Sequence, residues 1–375
     1  MKPDPKLAAL HDGLQKQFGE KKIMYGSKIP VGTPIPTGSL ALDFSTGFGG
    51  FPSNRAVEIS GRNGTGKTTL ALFTMLNALA KNPHRAALFL DVEHKVTKEW
   101  LRLIVGDELM DTNRVIYVQP TSIENATNIY RAAVESELIC CAILDSIGGA
   151  PTVRFSDDAE KGRVGGNSIG VGEFARAAQT FSAVYDCLTI GVNQLRTVMN
   201  SRIPNLTETP GGEAWKCACI LRIELVRGRD TEHAVIDGEK MPIGYTIMAK
   251  IRKNQVGAPG RTAMYWFYNV WTEEHGFGID KLDEINRLSI MTRVVKLAGG
   301  WYNHLLLPGG KVHGLPAYQQ AVREDIELQA ALSAEVLAVL KDYASEVAPI
   351  SDPDAPVEEN AGLMGIYLTG GADGQ

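Results

Sequence analysis

The run Gly61-Arg62-Asn63-Gly64-Thr65-Gly66-Lys67-Thr68 has the GxxxxGK[ST] spacing of a phosphate-binding loop, and Thr69 leads on into the helical stretch Leu70–Ala80. Glycines let consecutive backbone N–H groups turn toward phosphate oxygens at a helix N-terminus, where the helix dipole also favours negative charge. In that arrangement the Lys67 ammonium reaches the β- and γ-phosphates and the Thr68 hydroxyl ligates magnesium, so the motif predicts ATP with Mg2+. The strand ending at Ser60 and the following helix are the context the loop requires.

Two more acidic segments bear on the same chemistry. In Ile143-Leu144-Asp145-Ser146 an apolar strand delivers an acid to the C-terminal edge of a sheet, where ligands of open α/β sheets bind. Asp145 is expected to orient magnesium or its waters. The segment Leu88–His94 runs into Asp91 and Glu93, two apart and so on one face. Phosphoryl transfer to water needs a group that positions or deprotonates that water. Glu93, farther out from the strand, reaches better than Asp91, and His94 reads as a loop histidine.

These residues need a scaffold. From Arg55 onward short β-branched or apolar runs alternate with helical stretches, the pattern of a parallel sheet with crossover helices. The expected strands are 56–59, 87–90, 115–118, 139–144 and 188–192, widened by 220–226, 245–251 and 263–268. Two long connections, 151–168 and 196–212, interrupt the pattern, and loops of that length in a compact domain are usually functional or disordered. Leu7, Leu10, Leu14 and Phe18 recur at the spacing of an amphipathic helix, cut off by a Gly/Pro-rich connector at 26–36. That stripe packs either on its own domain or on a neighbouring subunit. The stretch 281–343 is largely helical with a Gly/Pro hairpin signal at 307–314.

Composition sets outer limits. No apolar run approaches the ~18 residues of a membrane span, and the N-terminus is not a secretory signal, so a cytoplasmic protein is expected. Cys140, Cys141, Cys187, Cys217 and Cys219 have neither an even count nor CxxC spacing, and they read as small buried hydrophobes on strands, without structural zinc. The formal net charge of −5 lacks the basic footprint of a nucleic-acid binder. From Asp342 to the end, however, there are seven carboxylates and no Lys, Arg or His, so the rest of the chain is net basic. A basic DNA groove is compatible with this balance.

Taken in order, Gln17-Phe18-Gly19, Thr37-Gly38-Ser39-Leu40-Ala41-Leu42-Asp43, Asp91–His94, Leu144-Asp145-Ser146, Asn193-Gln194-Leu195-Arg196, Pro210–Ala214, Lys253-Asn254 through Pro259, and Ala298–Tyr302 resemble the RecA/UvsX family of ATP-dependent DNA recombinases. The likeness runs over nearly the whole chain. It implies an α/β fold with a RecA-type P-loop ATPase core, a mostly parallel twisted sheet flanked by helices. To this it adds an N-terminal helical arm and a small C-terminal α/β domain. The boundaries implied are 1–36 for arm and connector, 37–278 for the core, 279–347 for the C-terminal domain and 348–375 for a flexible acidic tail.

The same resemblance implies roles. Glu93 matches the catalytic glutamate, and Trp100 falls where an aromatic residue stacks on adenine. Gln194 matches the sensor of the γ-phosphate, relaying it into a second DNA loop. Lys216 and Lys253 match lysines that reach a neighbouring subunit's nucleotide. Arg163, Gly165, Arg176, Arg196, Arg202, Gly211 and Gly212, in or beside the two loops, are the expected contacts to DNA. Gln255, Cys217 and Glu213 depart from the family pattern at positions tied to ATP–DNA coupling. The expected activity is DNA-dependent ATP hydrolysis driving strand exchange by a helical homopolymer. Its expected partners are single-stranded DNA, homologous duplex DNA, and single-strand-binding or loader proteins. A ring-forming helicase of the same superfamily, or a nucleotide-stabilised DNA-binding scaffold, is the alternative. The helicase leaves the arm, Gly211-Gly212 and the Gly-Trp-Tyr segment unexplained, and the scaffold leaves Glu93 and Gln194 unexplained.

Overall fold

A computed structural model describes residues 5–19, 23–25, 32–151, 166–197, 207–236, 238–272 and 275–346. Helix α1 (Pro5–Phe18) buries none of its residues, and Leu7, Leu10 and Phe18 are 60%, 58% and 51% exposed. Among the described residues its apolar stripe is therefore largely uncovered, with only Leu14 partly shielded. Strands β1 (Pro34–Ile35) and β2 (Phe51–Pro52) pair antiparallel around the short helix α2 (Leu40–Ser45). The Ser39 side chain caps α2 by accepting from Leu42 N.

The alternating segment follows as β3 (Ala56–Gly61), α3 (Lys67–Lys81), β4 (Ala86–Asp91), α4 (Lys98–Val105), α5 (Asp107–Asp111), β5 (Val115–Val118), α6 (Ile123–Glu135), β6 (Ile139–Asp145), α7 (Gly166–Tyr185) and β7 (Leu188–Gln194). Next come the two-residue strands β8 (Arg196–Thr197) and β9 (Thr207–Glu208), which pair with each other, then α8 (Gly212–Ala218), β10 (Leu221–Ile236), β11 (Glu239–Asn254), β12 (Thr262–Thr272) and β13 (Gly276–Ile279). One nine-stranded sheet has the order β13-β12-β11-β10-β3-β7-β6-β4-β5. The six strands from β10 to β5 are parallel, and β11, β12 and β13 add antiparallel.

Helices cover both faces of the sheet, which explains why β3 is buried at every position. Ala87 and Phe89 of β4 join the core under α3 and α4, whereas Leu88 and Leu90 join the core under α6, α7 and α8. The expected strands fall inside observed ones except for Ile220, which lies one residue before β10. The hairpin of β10 and β11 extends well past the apolar runs, with register shifts near Arg227 and Glu232. Its outer half mixes charged residues with exposed apolar ones such as Val235 and Met241, so no regular apolar alternation marks it in the sequence.

Past the sheet, α9 (Lys281–Met291), β14 (Lys296–Ala298), β15 (Trp301–Asn303), β16 (Lys311–His313), α10 (Leu315–Glu324) and α11 (Ile326–Glu346) enclose a small core that includes Tyr302, Tyr318, Val322 and Leu332. This stretch is largely helical, as expected, and the three-stranded sheet β14-β15-β16 adds strands of three residues, too short to show a period in the sequence. Other details also differ from expectation. Helix α7 starts at Gly166, inside the first expected loop, and Gly212 opens α8. Cys140 and Cys141 are buried on β6, but Cys187 and Cys219 are buried just outside strands, and Cys217 is exposed on α8. The acidic tail lies outside the described residues. No helix among the described residues is long and apolar enough to cross a membrane.

Candidate functional site

The phosphate loop connects β3 to α3 at the C-terminal edge of the sheet. Gly64 and Gly66 have φ of +74° and +78°, a region that favours glycine. An added Cβ at Gly66 would stand 2.8 Å from the Phe267 ring, and one at Gly61 would stand 2.6 Å from Leu225 O. The loop is therefore clasped by β10 and β12. Thr65 Oγ1 donates to Arg62 O at 2.9 Å, Thr69 is buried on α3, and Lys67 Nζ donates to Arg62 O at 2.8 Å. Burial holds the Lys67 ammonium below the ordinary lysine range, partly offset by Asp145 and Glu93.

A cleft of about 570 Å³ opens over this loop, lined by Asn63, Gly64, Lys67, Thr68, Asp91, Glu93, Lys95, Val96, Thr97, Trp100, Asp145 and Gln194. Residues from β3–α3, β4–α4, β6 and β7 thus converge, as adjacent parallel strands make them do. Thr68 Oγ1 donates to Asp145 Oδ2 at 2.6 Å. These are hard oxygen donors, suited to magnesium. Burial, with Glu93 and Asp91 nearby, pushes the Asp145 carboxyl up to about 6.

The two acids at the end of β4 and just beyond it separate cleanly. Asp91 Oδ2 accepts from Val96 N at 3.0 Å and Tyr117 Oη at 2.8 Å, so it pins the start of the next segment. Glu93 accepts from Ser146 Oγ, Lys95 Nζ and Gln194 Nε2. Burial alone would raise the Glu93 carboxyl, but donation from Lys95, Ser146 and Gln194 outweighs it and leaves the acid below its ordinary range. His94 has φ +55° and its Nε2 lies 3.3 Å from Pro120 O, a loop position outside the cleft lining. Trp100, on α4, lines the mouth of the cleft, and Thr97 caps that helix.

Of the expected DNA contacts, Arg176 is exposed on α7, and Arg196 Nη2 donates to Gly148 O at 3.2 Å beside the cleft. Gly211 and Gly212 have φ of +104° and +74° at the start of α8. Arg163, Gly165 and Arg202 lie outside the described residues. Lys216 and Lys253 do not line this chain's own cleft: Lys253 Nζ donates to Lys216 O and Cys217 O at 3.1 Å, and Lys216 pairs with Glu213 at 2.7 Å. The two lysines stand together at one end of α8.

Sequence reasoning missed Lys95, Ser146 and Tyr245. Tyr245 of β11 donates its hydroxyl to Gly64 O, and the Arg227 guanidinium lies 4.1 Å from the centre of its ring. No motif marks Lys95 or Tyr245, and Ser146 stands in the sequence only as the residue after Asp145. The Thr37–Asp43 segment proves to be a structural fastening. Thr37 N donates to Asp43 Oδ1 at 2.7 Å, and Ser39 Oγ donates to Glu284 Oε1 at 2.6 Å.

Residues 6–270 match the family model described as the RecA N-terminal domain. Among curated relatives, Protein RecA of Acholeplasma laidlawii (strain PG-8A) is 29% identical over 296 residues, covering 77% of this chain and 83% of that protein. Protein RecA of Chloroherpeton thalassium is 28% identical over 307 residues, with 80% and 81% covered. Protein RecA of Phytoplasma mali is 29% identical over 295 residues, with 78% and 82% covered.

Proposed function

Since this chain belongs to the RecA family, we propose that it is an ATP-driven recombinase that polymerises on single-stranded DNA and pairs it with homologous duplex, hydrolysing ATP between subunits. One observation carries the reading. Gln194 bonds Glu93 inside the nucleotide cleft, and the chain leaves that cleft two residues later, at Arg196, to form the second loop.

In this mechanism the loop amides and Lys67 bind the ATP phosphates, with Lys67 exchanging Arg62 O for phosphate oxygens. Thr68 and Asp145 would hold Mg2+, whose charge neutralises the phosphate oxygens. Trp100 offers a face for adenine. Glu93 orients the attacking water and takes its proton. Gln194, released from Glu93 toward the γ-phosphate, signals nucleotide state to the loop beyond it. Lys216 and Lys253 act on the nucleotide of the adjacent subunit, consistent with their distance from their own cleft.

Electron microscopy with single-stranded DNA and a non-hydrolysable ATP analogue tests the reading. Open helical filaments are expected. Closed rings would favour the helicase alternative, and dispersed particles would remove the polymer altogether.

A further inference from the structure

A polar cluster joins the central strands β3, β7 and β10 outside the cleft lining. Glu58 of β3 is fully buried. Its Oε2 accepts from Arg222 Nε of β10 at 2.5 Å, and its Oε1 accepts from Asn193 Nδ2 of β7 at 2.9 Å. An ion pair so placed stabilises a core no better than apolar residues of similar volume, so its presence asks for another reason.

The outer bonds of the cluster supply one. Asn193 Nδ2 also donates to Pro210 O at 2.8 Å, and Arg222 Nη2 donates to Thr209 Oγ1 at 3.1 Å. Asn193 Oδ1 accepts from Gln194 N at 3.0 Å, so both amide hydrogens and the amide oxygen are engaged. The returning leg of the second loop is thus attached at two consecutive residues, immediately before Gly211 and Gly212. Packing leaves that leg little slack, since an added Cβ at Gly148 would stand 2.1 Å from Pro210 Cγ.

We propose that Asn193 and Arg222, braced by Glu58, are positioning residues that tie Thr209–Pro210 to the strand end bearing Gln194, so that nucleotide state sets where the DNA-binding leg of the loop sits. A backbone shift at Gln194 moves the Asn193 amide, which moves Pro210, while Arg222 holds Thr209 as the pivot. The inference rests on the recombinase reading above and adds residues that never face the nucleotide.

The test compares affinity for a labelled single-stranded oligonucleotide with a non-hydrolysable ATP analogue and with ADP, by fluorescence anisotropy. Thr209→Val keeps shape and removes the acceptor of Arg222; Thr209→Ser keeps the hydroxyl. The ratio of the two DNA affinities should fall at least threefold in Thr209→Val and return in Thr209→Ser, with nucleotide affinity within twofold of the parent. Asn193→Ser, which gives up the bonds to Glu58 and Pro210, should lower the same ratio from the other attachment. A coupled parent whose Thr209→Val and Asn193→Ser variants keep their ratios within threefold overturns this inference alone. A parent whose DNA affinity ignores nucleotide overturns the recombinase reading, and this inference with it.

Discussion

Gln194 Nε2 lies 3.0 Å from Glu93 Oε1, so the last residue of β7 and the first acid beyond β4 meet across the cleft although 101 positions separate them. The contact joins an acid of the nucleotide cleft to the strand end that leads into the second loop. Under the proposed function, hydrolysis and loop position are two readouts of this one hydrogen bond.

Glu93→Gln keeps size and hydrogen bonding but removes the base. ATP affinity should stay within a few-fold of the parent while steady-state turnover falls by ~10²–10⁴. DNA release after ATP is depleted should slow as well. Turnover within a few-fold of the parent would reject Glu93, and Asp91 is poorly placed to replace it because Val96 N and Tyr117 Oη already occupy its Oδ2.

Tyr245 donates to Gly64 O. A peptide carbonyl and the following N–H point in opposite directions across the planar unit. Holding Gly64 O outward therefore aims Thr65 N at the phosphate site. Tyr245→Phe removes one hydrogen bond, worth ~1 kcal/mol, so ATP affinity should fall about fivefold with saturated turnover unchanged. If kcat falls and KM does not, the tyrosine acts elsewhere.

The largely uncovered stripe of α1 predicts a contact with another subunit. A heterologous contact that does not close generates a helix. Deleting residues 1–26 should leave a folded protein that binds ATP yet sediments as a monomer with DNA and ATP analogue present. Filaments of ordinary length from the truncated chain would assign the stripe to its own subunit.

Arg196 and Arg202 are expected to neutralise DNA phosphates. Changing both to alanine should weaken single-stranded DNA binding and flatten the dependence of log affinity on log salt by roughly 0.7 per lost contact. An unaltered slope would make them solvated loop charges.

Stability should depend on pH through the fastening of α2. Burial pushes Glu284 up to about 7, and burial pushes Asp43 up to about 8 with Glu284 adding to it. Both folded values lie above the unfolded ones, so the folded state holds the protons more tightly. Their contribution is complete below about pH 4 and is lost as pH rises through 7 to 8. The urea midpoint should therefore drop from pH 5 to pH 8, by an amount on the order of a few kcal/mol in unfolding free energy. In Glu284→Gln the drop should be shallower; equal slopes in parent and variant would detach the effect from this carboxyl.

Phosphate chemistry made the nucleotide loop legible from residue types alone. Backbone amides can converge on an anion only where the chain turns through left-handed conformations, and the glycines at 64 and 66 mark those turns. Apolar runs buried on both faces likewise disclosed the parallel strands, and the strand ends then located Asp145 and Glu93 on one edge, whereas Gln194 was marked by the family resemblance. The spacing already favoured Glu93 over Asp91, and tertiary structure supplied the reason: both line the cleft, while Tyr117 and Val96 claim Asp91 Oδ2. Tertiary structure alone decided that Tyr245 buttresses the loop and that Arg222 meets Glu58 across 164 positions. Such pairings leave no local period or motif, because they follow from which strands lie side by side in the sheet, and long-range packing sets that order.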